Sequence, residues 1–235
     1  MSLIHPKFLF PKISLGMSGA VFLITAILYT SNLSRSLEAP PSLMNDPASY
    51  QAHVRVYLDQ PSWGKLFFHV KPGYIYLLIG AGLAGIKLRA LSIILSIMSC
   101  GLLMLVVRRL SGAVASLMAG SLFLSSPFIF AEALGLSSHT HLGLLLVLAA
   151  LRVFIHSRGN RKLLNSVFGI LCAASVLSSH HTILIVVPLL GLEALHRLIQ
   201  REYKGMVWLL AGITGTYLIL EAGYLIWGGR PWVGV

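Results

Sequence analysis

An all-α, polytopic membrane fold is predicted by three observations: apolar residues make up 56% of the 235, charged residues only 11%, and the charges lie between long apolar runs. Ordinary soluble domains carry about a quarter charged residues. With a mean hydropathy of +0.82, no segment is polar and large enough to stand as a soluble domain, so residues 1–235 read as a single transmembrane domain. Lipid offers a backbone no hydrogen bonds, and a spanning segment must therefore satisfy its own N–H and C=O groups, which a helix does. The net charge of +11 does not point to nucleic acid, because the basic residues form no stripe interleaved with exposed aromatics.

The elements follow in chain order. Runs that reach the roughly 17 to 25 apolar residues of a crossing fall at 14–31, 90–107, 112–132, 139–155 and 206–227. Lys7 and Lys12 precede the first run as in a signal peptide, but no small-x-small cleavage site follows, so a retained first helix is expected. The run GYIYLLIGAGLAGI after Pro72 is short and Gly-rich, the mark of an interfacial or re-entrant helix. The run 163–195 is interrupted by Ser178, Ser179, His180 and His181 and reads as two short helices meeting at a polar break. Cys100 and Cys172 both lie inside apolar runs with no CxxC spacing and are expected to be small buried hydrophobes.

Charge distribution then selects the topology. If the run after Pro72 does not cross and the broken run crosses twice, there are about seven transmembrane helices, with the amino terminus cytoplasmic and the carboxyl terminus outside. The cytoplasm then receives 11 of the 18 basic residues, including Arg108, Arg109 and the RGNRK at 158–162, as the positive-inside rule requires. Crossing by the run after Pro72 would put both clusters outside. The expected location is an integral membrane one. One long outer loop, 32–89, then holds the only dense polar chemistry of the chain.

That loop reads NDPASYQAHVRVYLDQPSWGKLFFHVKPGYIYLL from Asn45 to Leu78. Taken residue by residue, Asp46 fits a helix cap and Lys71 an interfacial lysine before a turn. Taken in order, the loop resembles the first extracytoplasmic loop of the GT-C membrane glycosyltransferases, above all the protein O-mannosyltransferase, lipid A aminoarabinose transferase and lipopolysaccharide-core branches. Asp46 with Tyr50 resembles the acidic motif, 50–58 the short amphipathic helix after it, and His69, Lys71 and Pro72 the His-x-Pro-Pro or Lys-Pro element. Arg89 and then Arg108 with Arg109 follow as the next helix's opening Arg and closing basic turn. The single Asp46 stands where an acidic pair is commoner, and Lys71 replaces the first Pro of the His-x-Pro-Pro form.

The resemblance implies a polyprenyl-phosphate-linked sugar as donor, membrane lipids as surroundings, and transfer to a glycan, lipid or protein acceptor on the extracytoplasmic side. It implies Asp46 as the base that takes the acceptor's proton, and Lys71 and Arg89 as cations on the leaving phosphate. His69 would donate a hydrogen bond, while Tyr50, His139 and His180 would line the substrate cavity. No cofactor is expected; the histidines near the outer side (His69, His139, His141, His180, His181) raise a divalent metal as an alternative. Two other function classes fit the same composition: a transporter or lipid-carrier translocase, suggested by the broken helix and by Glu221 within the last apolar run, and a shortened, inactive relative acting as a membrane partner. Glu132 reads as an interfacial carboxylate.

Overall fold

In a computed structural model the described residues are 15–37, 72–86, 88–134, 138–156 and 162–226, and every element among them is helical. In order they are α1 (Leu15–Leu37), α2 (Pro72–Leu83), α3 (Leu88–Ser125), α4 (Pro127–Leu134), α5 (Ser138–His156), α6 (Lys162–Ser178), a 3-10 turn (His180–Thr182), α7 (Ile183–Gln200) and α8 (Tyr203–Ile226). Four stretches are long and apolar enough to cross a membrane: Leu15–Arg35, Ala90–Ser125, His180–Gln200 and Tyr203–Leu220. His139–Ile155 and Lys162–Ser178 are shorter apolar helices. Large apolar side chains cover the outside, with Leu184 76% and Ile219 73% exposed. In water such a surface would be unstable, whereas in lipid it is the matching one.

α3 is two helices rather than one. At Gly112 the backbone takes φ 89° and ψ −178°, a left-handed conformation that glycine adopts without steric cost. Ser116 Oγ donates to the Met104 carbonyl at 2.8 Å, although twelve residues of straight helix would separate them by about 18 Å. Likewise Cys100 Sγ lies 3.9 Å from the Gly120 carbonyl oxygen. The chain therefore folds back at Gly112 into an antiparallel hairpin with arms 88–111 and 113–125. The second arm stops at Ser126, short of the expected 132. Pro127 has no N–H and disfavours helix at the residue before it, so α4 starts afresh there.

Side-chain contacts fix the relative directions. Phe22 meets Gly120 and Met104, while Tyr29, seven residues on, bonds Ser96 and stacks edge-on to Phe130. α1 thus runs away from the Gly112 turn, beside the second arm. On α5 and α6 the order is reversed: Gly143 faces Ser179 and Phe154 faces Phe168. α6 and α8 are parallel, and their backbones nearly touch. A Cβ on Gly212 would strike the Ser166 carbonyl, and one on Gly169 the Leu209 carbonyl, so glycine at both positions is what allows the approach. α7 is the return segment between them.

The bundle consequently has two distinguishable ends. At one lie the Gly112 turn, Arg108, Arg109, Lys162, Arg197, Arg201 and Lys204; at the other lie the end of α1 with Arg35, the start of α3 at Leu88, the start of α5 and the 3-10 turn. α2 belongs to this second end. Its twelve residues reach about 18 Å, too short for a crossing. Tyr74, Leu78 and Ala81 bury into one cluster with Leu91, Leu95 and Leu142. Its first turn is held by Gly73, where a Cβ would come within 2.5 Å of Ser178 Oγ, and by Tyr76, whose hydroxyl donates to the Leu220 carbonyl at 3.1 Å.

One further boundary differs from expectation: α1 continues through residues 32–37, which the sequence places in the outer loop, whereas the short helix expected after Pro72 is present as α2. The expected break in the run 163–195 occurs where the polar residues are. Ser179 is extended, with φ −153° and ψ 118°, and Thr182 Oγ1 donates back to its carbonyl at 2.7 Å.

Candidate functional site

The end of the bundle opposite Gly112 contains a layer of buried, uncharged polar side chains. On the first arm of α3, Ser92, Ser96 and Ser99 recur at i, i+4 and i+7, one face of a helix, and all three are 0% exposed. Tyr29 Oη and Ser96 Oγ are 2.7 Å apart, joining α1 to that face. Ser99 Oγ donates to the His141 carbonyl at 3.3 Å, joining it to α5. His141 is fully buried, and His139, one turn from Gly143, packs edge-on against the Tyr74 ring of α2 with centroids 5.7 Å apart. Ser178 and Ser179, also buried, close the layer from α6.

Several of these groups find no hydrogen-bond partner among the described residues: Ser92 Oγ, Ser179 Oγ and both ring nitrogens of His141. The Ile129 backbone lies beside the imidazole, but no hydrogen bond of good geometry forms. Burying an unbonded polar group costs about 1 to 3 kcal/mol, so such a layer is kept by function or by bound water rather than by stability. Other hydroxyls are satisfied inside their own helices, as Ser175 by Cys172 and Ser178 by Ala174.

Of the residues singled out by sequence, His139 falls in this layer. His180 is on the adjoining 3-10 turn and exposed. Arg89 opens α3 at the same end, two residues before the buried Leu91, with its side chain outside the described residues. Asp46, Tyr50, His69 and Lys71 lie outside the described residues, as do the side chains of Glu132 and Glu221. Cys100 and Cys172 are free and buried. Among the described residues no three His, Cys, Asp or Glu side chains come together, and His139 and His141, two apart on one helix, point different ways.

Sequence reasoning passed over two features. One is the serine face, whose i, i+4, i+7 spacing inside an apolar run was the available signal. The other is at the opposite end, where Arg197, counted as an ordinary cytoplasmic cation, is 3% exposed. Its Nε and Nη2 pair with Glu193 one turn earlier on α7, and Nη2 also donates to Asn165 Oδ1 on α6 at 2.8 Å. Gly205 on α8 leaves the room: a Cβ there would fall on Arg197 Nη1. The i,i+4 Glu–Arg spacing was visible; the partners on α6 and α8 were not.

The chain matches no family model, no curated protein and no solved structure.

Proposed function

We propose that this chain is a GT-C-type membrane glycosyltransferase that moves a sugar from a polyprenyl-phosphate carrier to a glycan, lipid or protein acceptor on the extracytoplasmic side of a bacterial plasma membrane. One observation carries the reading. The helices flanking residues 38–71 end and begin at the same end of the bundle as the buried polar layer: Tyr29 of α1 bonds Ser96, and Tyr74 of α2 packs on His139. The two helices that bracket the segment with Asp46, His69 and Lys71 thus both touch the layer of buried uncharged polar groups found among the described residues. The order of motifs in the segment supplies the rest.

Asp46 accepts the proton of an acceptor hydroxyl as its oxygen attacks the anomeric carbon. The bond from that carbon to the carrier phosphate breaks, and the phosphate leaves as an anion beside Lys71 and Arg89. Six basic side chains at the Gly112 end support placing that end in the cytoplasm under the positive-inside rule. The reading takes seven crossings by counting the two arms of the hairpin separately, the second together with α4, and by counting the shorter α5 and α6, with α2 on the outer side.

The test is release of carrier phosphate by reconstituted protein offered polyprenyl-phosphate sugars and candidate acceptors. Asp46→Asn keeps the size and capping ability of the side chain but loses the base, so transfer should fall by about a hundredfold to ten-thousandfold with folding intact. Normal turnover in the variant removes Asp46 from the mechanism. Absence of turnover in the parent across donors favours the translocase or the inactive relative. Orientation is read separately: single cysteines at Ser62 and Ser157, in a chain lacking Cys100 and Cys172, should react with an impermeant thiol reagent from opposite sides.

A further inference from the structure

Between α1 and the α3–α4 junction the structure holds a cleft of about 340 Å³ lined by Thr25, Tyr29, Asn32, Ser125, Ser126 and Phe130 together with apolar neighbours. Its size is at the lower end of small-molecule sites. It exists because the helix breaks at Ser126 before Pro127, which parts α4 from the second arm and exposes the last turn of that arm to α1. It lies at the same end as the buried serine layer and is joined to it through Tyr29 and Ser96.

We infer that this cleft is a carbohydrate subsite that takes a neutral, hydroxyl-bearing ring. The inference rests on the transfer reading only in identifying that ring as part of the acceptor. The chemistry of the lining selects the class. None of the lining residues is charged, so a phosphate or an ammonium entering the cleft would lose hydration with no counter-charge to replace it. Of its four hydroxyls, Thr25 and Ser125 face the cleft as acceptors, while Ser126 Oγ accepts the Ile129 N–H at 3.5 Å and keeps its own proton to donate. Thr25 Oγ1 has given its proton to the Val21 carbonyl at 2.8 Å and Ser125 Oγ to the Leu122 carbonyl at 3.2 Å, which leaves oxygen lone pairs that O–H donors of a ligand fill. The remaining wall is aromatic: Phe130 meets Tyr29 edge-on, centroids 5.8 Å apart and planes at 77°. Against such a corner the C–H face of a pyranose packs while its hydroxyls turn to the polar side.

The experiment uses the full chain in lipid nanodiscs with Ser125→Cys as reporter, the parent, whose two cysteines are buried, serving as the blank. Alkylation by a maleimide is timed with methyl glucoside, methyl galactoside or methyl mannoside, and with glycerol or inorganic phosphate in their place. At a sugar concentration about ten times its Kd, alkylation should slow about tenfold for at least one pyranoside and for neither glycerol nor phosphate. A reporter at Leu110, exposed at the opposite end, should be unaffected. Asn32→Leu, which removes the amide from the exposed wall of the cleft, should abolish the protection, measured against that variant's own unprotected rate. The proposal is overturned if no pyranoside protects Ser125→Cys, if phosphate or glycerol protects equally, if protection depends on the nanodisc lipid rather than on the sugar, or if it survives Asn32→Leu. A chain that protects but releases no carrier phosphate keeps the cleft and loses the transfer reading; one that releases phosphate without protection does the reverse.

Discussion

The two ends of the bundle bury polar groups in opposite ways. At the Gly112 end the buried polar groups centre on a charged pair, with Arg197 bonded to Glu193 and Asn165 across two helices, although Arg197 Nη1 and Asn165 Nδ2 have no partner among the described residues. At the other end they are neutral hydroxyls and imidazoles, and Ser92, Ser179 and His141 lack partners among the described residues. The first arrangement locks α7 to α6 and α8. The second gains little stability from its polarity, and under the proposed function a substrate would supply the missing partners. The contrast teaches that burial of polar side chains in a membrane bundle is not one signal, and that charge balance separates the lock from the site.

That contrast can be broken most severely at the charged end. Arg197→Met leaves Glu193 buried and unpaired, which should cost about 3 to 5 kcal/mol in a reversible unfolding measurement in detergent or bicelles. Adding Glu193→Leu should restore most of it, since an apolar pair in place of a buried ion pair is close to neutral. Failure of the second substitution to rescue would mean that the pair does more than balance charge. Next in size is Gly212→Ala, whose Cβ collides with the Ser166 carbonyl and should destabilise by about 1 to 3 kcal/mol. Gly19→Ala, with open space around it, is the matched control and should leave stability unchanged or raise it slightly.

Substitutions in the neutral layer should do much less to folding. Ser96→Ala removes the bond to Tyr29 and is expected to cost roughly 0.6 kcal/mol, the usual worth of such a bond in a membrane bundle. The smallest expected stability change is in His141→Leu. Replacing an unbonded buried imidazole by an apolar side chain of similar volume should be near neutral or stabilising, while carrier-phosphate release falls. A stability loss as large as that of Arg197→Met would show that the layer is structural after all and would erase the distinction between the two ends.

Particular residues show how far the sequence could be read. The break at Ser178–His181 was legible because four polar residues interrupt an apolar run, and in the structure α6 ends there and α7 begins after it. The stop at Ser126 obeyed an equally local rule, Pro disfavouring helix before it, yet the continuous apolar character of 112–132 concealed it. Arg197 was misread for a different reason: its burial is set by Asn165, 32 residues away, and by a glycine on α8, neither of which periodicity reveals. For the site, the motif order in 38–71 and the two histidines of α5 stood out, whereas the serine face merged into its helix because serine is small enough to pass as apolar. Which of these groups meet is decided by the packing of α1, α3 and α5, and so had to be read from the structure.

The anchoring of α2 has a consequence in time. Gly73 rests on Ser178 and Tyr76 on the Leu220 carbonyl, so two of the contacts that seat α2 are on helices synthesised more than a hundred residues after it, whereas those with Leu91, Leu95 and Leu142 form earlier. Chains emerge amino terminus first. Until α6 and α8 are inserted, α2 has no seat at either contact, and the layer it covers stays open. A nascent chain that has not yet made α6 and α8 should therefore hold α2 through α3 and α5 alone, and membrane quality control could tell it from a molecule with all its helices by protease sensitivity at α2.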